Sequence, residues 1–404
     1  MKILYIHQYF VTPNEPGGTR SYWIAKELLK RGHHVTMITS AKKAHPEGRE
    51  NIDDIDVVYV KTPAYNNYMS APRKIWSFFA FIFNALNAAK KEMNVDIVFA
   101  TSTPLTVGAI ALLLKACKRW KYVFEVRDLW PEFPIEIGAI KNQMAIWGLR
   151  KFEKRIYDKA EHVIALSPGM KEGVMKAGTP EEKVSMIPNM AKPDKFIPHE
   201  KNMAVAKQFG IDTAKFNVIH FGSMGRANGL KFIIDTAKIL QDEGIDNVNF
   251  VFMGGGATEP QLKNMVAEQN LKNVQFLGNH PMDTVSEVVN LCDASITSFL
   301  NLPILKTNSP NKLFDSLSAG KPIIVNSAGW TKDLVEKDDC GFFVDPDNPK
   351  DFAEKLKLYK SDKETLRRWG ENARRLSVEV FDKNILSAKV ADVIENAYKN
   401  VSRK

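Results

Sequence analysis

Short apolar runs alternate with helical stretches along almost the whole chain, six runs in the first half and five in the second. A strand that is buried on both faces of a sheet reads as a continuous apolar run, and regular alternation with helices is typical of parallel sheets. The pattern therefore predicts an α/β protein with doubly wound parallel sheets. The predicted strands are residues 3–6, 35–38, 57–60, 97–100, 123–126, 163–166, 218–221, 250–253, 274–277, 294–297 and 323–325.

The two series of apolar runs indicate two domains, because a chain of 404 residues is too long for one simple core. Residues 187–198 separate the two series and contain three prolines and no periodic pattern, which is typical of a linker. We therefore expect an N-terminal domain over residues 1–190 and a C-terminal domain over residues 199–382.

The net charge of the chain is +9 at pH 7, and nearly all of the excess lies in the first half. No nucleic-acid motif accompanies this charge, and the basic residues are not interleaved with aromatic residues in a stacking pattern. An anionic membrane surface is therefore the expected partner, rather than nucleic acid. The three cysteines lack metal-type spacing and no secretion signal opens the sequence, so we expect a cytoplasmic protein without a zinc site.

Residues 306–325 combine a loop, a short helix and a buried strand. The residues that suit the start of the helix are Asn308, Ser309 and Pro310. Open amides and the positive dipole end attract phosphate there, and Lys312 adds a full charge. Asp315, one turn below Asn311, is expected to face a cleft and to accept two ribose hydroxyls. We interpret this stretch as a nucleotide-diphosphate site; the alternative is an ordinary capped helix of any α/β protein.

Glycines mark three strand ends in the second half. Residues 221–229, Phe-Gly-Ser-Met-Gly-Arg-Ala-Asn-Gly, follow a predicted strand and open a helix, so their amides could cradle a phosphate. Gly254 and Gly278 follow the next two predicted strands. In the first half, Gly17 and Gly18 either let the backbone approach a ligand closely or form a plain tight turn. The sequence lacks the Gly-x-Gly-x-x-Gly fingerprint, which disfavours a dehydrogenase.

Arg127 and Asp128 end another predicted strand, at the carboxyl edge where open α/β sheets bind ligands. Polar groups at that edge face the ligand crevice, so Asp128 is a candidate site residue. The alternative is an exposed ion pair between the two side chains, which is common and weak.

Residues 72–91 contain four phenylalanines and one tryptophan between two basic pairs. The apolar run is too short to span a bilayer, for which about 20 residues are needed. One interpretation is a helix in the membrane interface, with Arg73 and Lys74 on head groups and one face formed by Trp76, Phe79 and Phe83. The alternative is a fully buried crossover helix.

Taken together, these stretches resemble the GT-B glycosyltransferases of family 4, in the branch that builds bacterial surface polysaccharides. The resemblance is carried by Asp315 and the run Ala-Gly-Lys-Pro-Ile at 319–323, by the Gly17–Gly18 loop and by the form Asp-x-Trp-Pro at 128–131. Asp315 matches the family's acidic residue that holds the ribose hydroxyls. The Gly–Gly loop matches one that lies beside the donor phosphates.

Four positions depart from the family pattern. Thr307 stands where the family usually has a Glu that touches the donor sugar, and Arg127 stands where it has a His. Ser223 and Asn228 stand where it has an Arg and a Lys. We expect the neighbouring Arg226 to compensate for these two missing basic residues.

The resemblance implies a GT-B fold, with two Rossmann-like domains, an interdomain cleft and a final helix, 383–404, that returns to the N-terminal domain. It implies metal-independent, retaining transfer of a hexosyl or N-acetylhexosaminyl group from a nucleotide-diphosphate donor, expected to be a UDP-sugar. The acceptor would be a lipid-linked or growing glycan, as in O-antigen or other lipopolysaccharide synthesis, on the cytoplasmic face of the membrane. The implied catalytic residues are Asp128, Arg226 and Lys312. The implied donor-binding residues are Gly17, Gly18, Gly222, Ser223, Asn228, Gly254, Gly278, Thr307, Asn308, Ser309, Asn311 and Asp315.

Two alternatives stay open. A noncatalytic membrane-bound partner subunit would keep the fold without donor binding, and the departures at positions 223, 228 and 307 favour it. A UDP-sugar 2-epimerase would need a cluster of histidines and carboxylates for proton transfer, and the sequence indicates none.

Overall fold

The computed structural model describes residues 1–15, 17–63 and 71–402 and divides into two compact units. Unit 1 contains residues 1–13, 17–188 and the final helix from Lys383. Unit 2 contains residues 189–382 together with Asn14 and Glu15. Of the basic residues predicted for the interfacial helix, Lys74 has a side chain outside the described part of the chain.

The strands of the first unit are β1 (Lys2–Ile6), β2 (His34–Ser40), β3 (Gly48–Ile52), β4 (Ile55–Val60), β5 (Ile97–Thr101), β6 (Tyr122–Val126), β7 (His162–Ala165) and β8 (Val184–Met186). The strands of the second are β9 (Phe216–Phe221), β10 (Val248–Met253), β11 (Val274–Gly278), β12 (Ala294–Thr297), β13 (Ile323–Val325) and β14 (Gly341–Phe343). All eleven predicted strands are present, and their bounds differ from the prediction by at most two residues.

The helices of unit 1 that precede unit 2 in the sequence are α1 (Arg20–Lys30), α2 (Ala71–Lys91), α3 (Thr106–Lys118), α4 (Glu132–Glu136), α5 (Gln143–Lys159) and α6 (Pro168–Lys176). Those of the second unit are α7 (Met203–Phe209), α8 (Lys231–Asp242), α9 (Glu259–Glu268), α10 (Met282–Leu291), α11 (Asn311–Ser318), α12 (Trp330–Lys337), α13 (Pro349–Tyr359) and α14 (Lys363–Glu379). The last helix is α15 (Lys383–Ser402). Within the described residues, no helix combines the length and apolarity needed to cross a membrane.

Unit 1 is built on an eight-stranded sheet in the order β3-β4-β2-β1-β5-β6-β7-β8. Every neighbouring pair is parallel except β3 and β4. The predicted parallel sheet is confirmed, and the antiparallel edge strand β3 was not predicted because its residues are polar and almost all exposed. Helix α15 packs on α1, where Arg31 Nη1 lies 2.7 Å from Asp392 and His33 Nε2 lies 2.8 Å from Glu395.

Unit 2 is built on a six-stranded parallel sheet in the order β11-β10-β9-β12-β13-β14. Alternate residues of β10 belong to two separate apolar clusters: Phe250 and Phe252 to one, and Val251 and Met253 to the other. Because successive side chains of a strand point to opposite faces, the sheet is buried on both sides. This arrangement confirms the predicted doubly wound α/β fold.

The segment predicted as a linker is largely packed into unit 2. Ala191 and Phe196 are buried, and the amide of Ala191 donates to the carbonyl of Phe381 at 2.8 Å. Arg374 donates to the carbonyls of Pro193 and Phe196, each at 3.1 Å. Unit 2 therefore begins at Asn189, ten residues before the predicted start of the C-terminal domain. The prolines of this segment removed the periodic sequence pattern but did not prevent burial.

Candidate functional site

Three glycine-containing strand ends meet at one edge of the unit 2 sheet. The amide of Gly222 donates to Met253 O at 2.8 Å, and the amide of Gly254 donates to Gly278 O at 2.7 Å. Gly254 has a φ of +135°, and a Cβ there would lie 2.0 Å from Gly222 O, so only glycine fits. The edge is formed by the carboxyl ends of β9, β10 and β11, which is where open α/β sheets bind ligands.

Lys312 lies on the first turn of α11 and points to this edge. Its Nζ lies 3.3 Å from Nε2 of His220, near the end of β9, and 3.2 Å from Oδ1 of Asn228. Burial lowers the pKa of Lys312 to about 7. The pKa of His220 is also held well below its usual value, first by burial and then by the charge on Lys312. The ammonium therefore sits beside the glycine-rich backbone with two uncharged neighbours.

The predicted compensating residue, Arg226, is not among these neighbours. Arg226 is exposed and lines a separate cavity together with Lys231, Asp235 and Asp347. Residues 226–228 form a single turn of 3-10 helix, in which side chains two positions apart point in different directions. Asn228 faces Lys312, so the cation next to position 228 comes from α11 and not from the glycine loop. Ser223 is exposed on that loop.

Asp315 is buried and forms an ion pair with Lys192, which corrects the expectation of an open carboxylate. Nζ of Lys192 lies 2.9 Å from Oδ1 and 3.2 Å from Oδ2. Burial raises the pKa of Asp315, and the Lys192 charge and hydrogen bond oppose that change. Sequence reasoning missed Lys192 because it lies in the segment predicted as a linker.

The amino-terminal end of α11 carries no side-chain cap in the structure. Ser309, predicted as a cap, instead accepts a hydrogen bond on Oγ from the amide of Asn189 at 3.1 Å. Thr307 Oγ1 donates to the carbonyl of Ile304 at 2.7 Å. Within the described chain, Nδ2 of Asn308 is buried and has no hydrogen-bond partner. The first turn, where Asn311 is partly buried, thus keeps open amides of the kind that bind anions.

A second polar edge lies at the carboxyl ends of β1, β5 and β6 in unit 1. Asp128 Oδ2 accepts a hydrogen bond from Thr103 Oγ1 at 2.7 Å. Nη1 of Arg127 lies 3.4 Å from Nε2 of His7, and the described residues contain no Arg127–Asp128 ion pair. Burial raises the pKa of Asp128, and the hydrogen bond from Thr103 and the charge on Arg127 partly offset this rise. The predicted alternative, an exposed ion pair between Arg127 and Asp128, is therefore wrong. Sequence reasoning did not identify His7 as a neighbour of Arg127, although His7 directly follows the buried strand β1.

The Gly17–Gly18 loop leads into α1, whose first residue is anchored in the core of unit 1. Gly17 has a φ of +136°, which favours glycine. Arg20 Nε lies 2.8 Å from Glu125 Oε1, and the two side chains are 1% and 0% exposed. The Arg20 guanidinium also donates to the carbonyls of Ile187 and Pro188. The loop is therefore attached to a rigid helix start.

Residues of the described ranges form no cluster of three His, Cys, Asp or Glu side chains suited to a metal ion.

Two family models match the chain, one in each half. Residues 17–190 match the model of the glycosyl transferase 4-like domain, and residues 203–376 match the model of glycosyl transferases group 1. The chain is 22% identical over 300 residues to the probable glycosyltransferase WbjE of Pseudomonas aeruginosa, covering 73% of this chain and 74% of the relative.

Two solved structures show the same fold over nearly the full chain. HepE of Anabaena in complex with UDP-glucose superposes with a TM-score of 0.73 at 18% identity and covers 98% of this chain and 100% of that one. WaaG, a glycosyltransferase involved in lipopolysaccharide biosynthesis, superposes with a TM-score of 0.71 at 17% identity and covers 97% and 99%.

The two parallel-sheet domains and these matches define a fold of GT-B type. The chain belongs to the GT-B glycosyltransferases, with a family 4-like first half and a group 1 second half.

Proposed function

We propose that the protein transfers a hexosyl or N-acetylhexosaminyl group from a UDP-sugar to a lipid-linked or growing glycan, with retention of the anomeric configuration. The observation that carries the proposal is the position of Lys312, with its ammonium beside the Gly222 backbone and one turn from Asp315. A diphosphate on the open amides of α11 would contact this charge, and the adjoining ribose would contact the carboxylate. HepE, which shares the fold, binds UDP-glucose, and this supports a uridine nucleotide.

In the proposed reaction, the bond between the sugar C1 and the β-phosphate oxygen breaks as a bond to the acceptor oxygen forms on the same face of the sugar. A donor phosphate oxygen takes the proton of the acceptor hydroxyl, and UDP leaves. Negative charge grows on the diphosphate during this step, and Lys312 and the backbone amides stabilise it electrostatically. We propose that this charge stabilisation requires no metal ion.

Asp128 is assigned to the acceptor hydroxyl or to the transferred sugar. Its carboxylate is held by Thr103 at the carboxyl edge of the unit 1 sheet, so its orientation is fixed before any ligand arrives. Gly17 and Gly18 are assigned to the donor phosphates, which a glycine backbone can approach closely. The donor contacts assigned to Thr307, Asn308, Ser309, Asn311 and Ser223 stay predictions, and so does the catalytic role assigned to Arg226.

A lipid-linked acceptor is supported by the surface of α2. One stripe of this helix, Ser77, Phe81, Ala85 and Ala89, is buried. The opposite stripe is apolar yet exposed, with Trp76 at 64% and Phe83 at 67%. Arg73 lies at one end of the helix, and Lys90 and Lys91 lie exposed at the other. An amphipathic helix with basic ends and exposed aromatic residues fits an anionic membrane interface.

Helix α5, which contacts α3 as α2 does, carries further exposed apolar side chains together with the turn before it. Ile137, Met144 and Trp147 are exposed, and Lys151 Nζ lies 5.8 Å from the centre of the Trp147 ring. We therefore place the protein on the cytoplasmic face of a bacterial membrane, in surface polysaccharide synthesis. The lipopolysaccharide role of WaaG, which shares the fold, supports this pathway.

The test is a panel of nucleotide sugars incubated with lipid-linked acceptors from bacterial membranes, followed by mass spectrometry. We expect one UDP-sugar to yield a glycosylated lipid and UDP, with unchanged yield in EDTA. A UDP-sugar that is epimerised at C2, without transfer of the sugar to any acceptor, would favour the 2-epimerase. Absence of thermal stabilisation by any nucleotide diphosphate would favour the noncatalytic subunit, because a ligand that binds only the folded state raises its stability.

A further inference from the structure

The first residues of unit 2, Asn189–Lys192, run along α11 and contact it at several points. The amide of Asn189 donates to Ser309 Oγ at 3.1 Å, just before the helix. The amide of Lys192 donates to Ser318 Oγ at 2.9 Å, at its last residue. Between these contacts, Nζ of Lys192 reaches Asp315. The segment and the helix are therefore held together along the full length of α11.

The ion pair between Lys192 and Asp315 lies away from solvent, with side chains 6% and 11% exposed. A buried carboxylate without a nearby positive charge tends to bind a proton, because burial disfavours the charged form. A protonated carboxyl group cannot accept hydrogen bonds on both oxygens as freely as a carboxylate, which offers about four lone-pair sites. Lys192 lies close to both oxygens and so favours the ionised form, which has lone pairs for two hydroxyls.

Lys192 is itself fixed by its surroundings. Its ammonium lies 5.8 Å from the centre of the Phe196 ring. Arg374 donates to the carbonyls of Pro193, Phe196 and Ser318 at 3.1, 3.1 and 2.6 Å. These contacts tie the chain that follows Lys192 to the end of α11. The ammonium therefore has a fixed position relative to the carboxylate.

We propose that Lys192 is a positioning residue for sugar-nucleotide recognition: it holds Asp315 ionised and oriented to accept the two ribose hydroxyls, and so makes the site selective for ribonucleotides. The inference rests on the proposed function, because it takes Asp315 as the ribose contact. Lys192 acts through Asp315 and does not touch the reacting atoms.

The test compares the affinities for UDP and for 2′,3′-dideoxyuridine diphosphate by titration calorimetry on the full chain. In the wild type, the loss of two hydrogen bonds to a charged group should weaken binding at least about tenfold. Lys192→Met should bring the ratio of the two dissociation constants close to one. The matched control is Lys195→Met, which removes the same charge three positions further along the chain, where the Lys195 side chain is half-exposed and its ammonium lies 3.9 Å from Asp283. The control should keep the wild-type preference.

A pH series adds a readout that a purely structural role would not change. Without Lys192, Asp315 should bind a proton more readily, so the ratio of variant to wild-type dissociation constants for UDP should be largest at low pH and should fall as pH rises. The other groups that titrate near the nucleotide, Lys312, His220 and the terminal phosphate, are present in both proteins. Their effects cancel in the ratio.

If circular dichroism shows that Lys192→Met does not fold, two further variants replace it. Lys192→Arg should keep the preference for UDP, and the neutral double variant Lys192→Met/Asp315→Asn should fold and lack it. The inference is overturned if Lys192→Met or the double variant keeps the wild-type preference, or if Lys192→Met weakens both ligands equally. A folded wild type that binds no UDP would instead overturn the proposed function, and the inference with it.

Discussion

If the protein binds UDP as proposed, we expect the charge state of Lys312 to make the affinity depend on pH above neutrality. Burial lowers the pKa of Lys312 to about 7, so roughly half of the free protein carries the ammonium at that pH. A bound diphosphate places negative charge against this group and raises its pKa again. Binding therefore takes up a proton, and the affinity falls as pH rises through the pKa of the free protein. His220 stays neutral throughout, because burial holds its pKa well below its usual value.

The size of the effect follows from the fraction of free protein that carries the proton. That fraction falls from about one half at pH 7 to about one hundredth at pH 9, so the affinity for UDP should fall about fiftyfold, or about 2.3 kcal/mol. At pH 8, about 0.9 proton should be taken up per UDP bound. Below pH 7 the remaining half of the free protein becomes protonated, so the further gain in affinity from this group is at most about twofold.

Titration calorimetry at pH 7, 8 and 9, in pairs of buffers with different ionisation enthalpies, measures both quantities. Lys312→Arg is the control, because a guanidinium stays charged over this range and should give a flat profile without proton uptake. Lys312→Met should bind weakly at every pH. A wild-type affinity that does not change between pH 7 and 9, with no proton exchanged, would refute the reasoning.

Four further variants test the remaining roles. Asp315→Ala should weaken UDP binding by about 1.5–3 kcal/mol in a protein that calorimetry shows to be folded. Asp128→Asn should lower kcat in the transfer assay at least about tenfold and leave the affinity for UDP unchanged, because Asp128 is assigned to the acceptor or the transferred sugar. The paired change Trp76→Ser and Phe79→Ser should reduce co-sedimentation with anionic vesicles at low and high salt alike, because apolar contacts are not screened. Glu125→Gln should lower the free energy of unfolding in urea by about 3 kcal/mol or more, because it leaves a buried guanidinium without its countercharge.

Two of these tests, the one on stability and the one on vesicle binding, have a control on the same chain. Glu132→Gln breaks the exposed pair with Arg150 and should change the unfolding free energy by less than about 1 kcal/mol. Arg73→Gln combined with Lys90→Gln should reduce vesicle binding only at low salt. If a folded protein with the aromatic changes still binds vesicles as the wild type does, the proposal that α2 contacts the membrane is wrong. An Asp315→Ala variant with wild-type affinity would remove the ribose assignment.

The sheets were predictable because their central strands are buried on both faces and therefore read as continuous apolar runs. The strands that escaped prediction lie at sheet edges, where that signal fails. β3 is polar and exposed, and β8 and β14 have only three residues each. Short or polar edge strands are common, because they do not readily pair with a strand of another chain.

The site was predictable where chemistry follows a strand end or opens a helix, as for Lys312, Asp315 and the glycine loops. It was not predictable where a residue acts through a contact distant in sequence. Lys192 and Asp315 are in contact although they lie 123 positions apart in the sequence, and His220 and Lys312 lie 92 positions apart. Nothing in the local pattern around Lys192 distinguishes it from an ordinary linker lysine.

The position of α15 sets the order in which the chain can fold as it is synthesised. The ribosome completes the sheet of unit 1 well before it reaches Lys383, yet this unit contains the helix that begins there. Until then, Arg31 and His33 lack their partners Asp392 and Glu395, and the outer face of α1 stays uncovered. Unit 2 is therefore translated while unit 1 still lacks one of its helices, and a segment that follows unit 2 in the sequence completes unit 1.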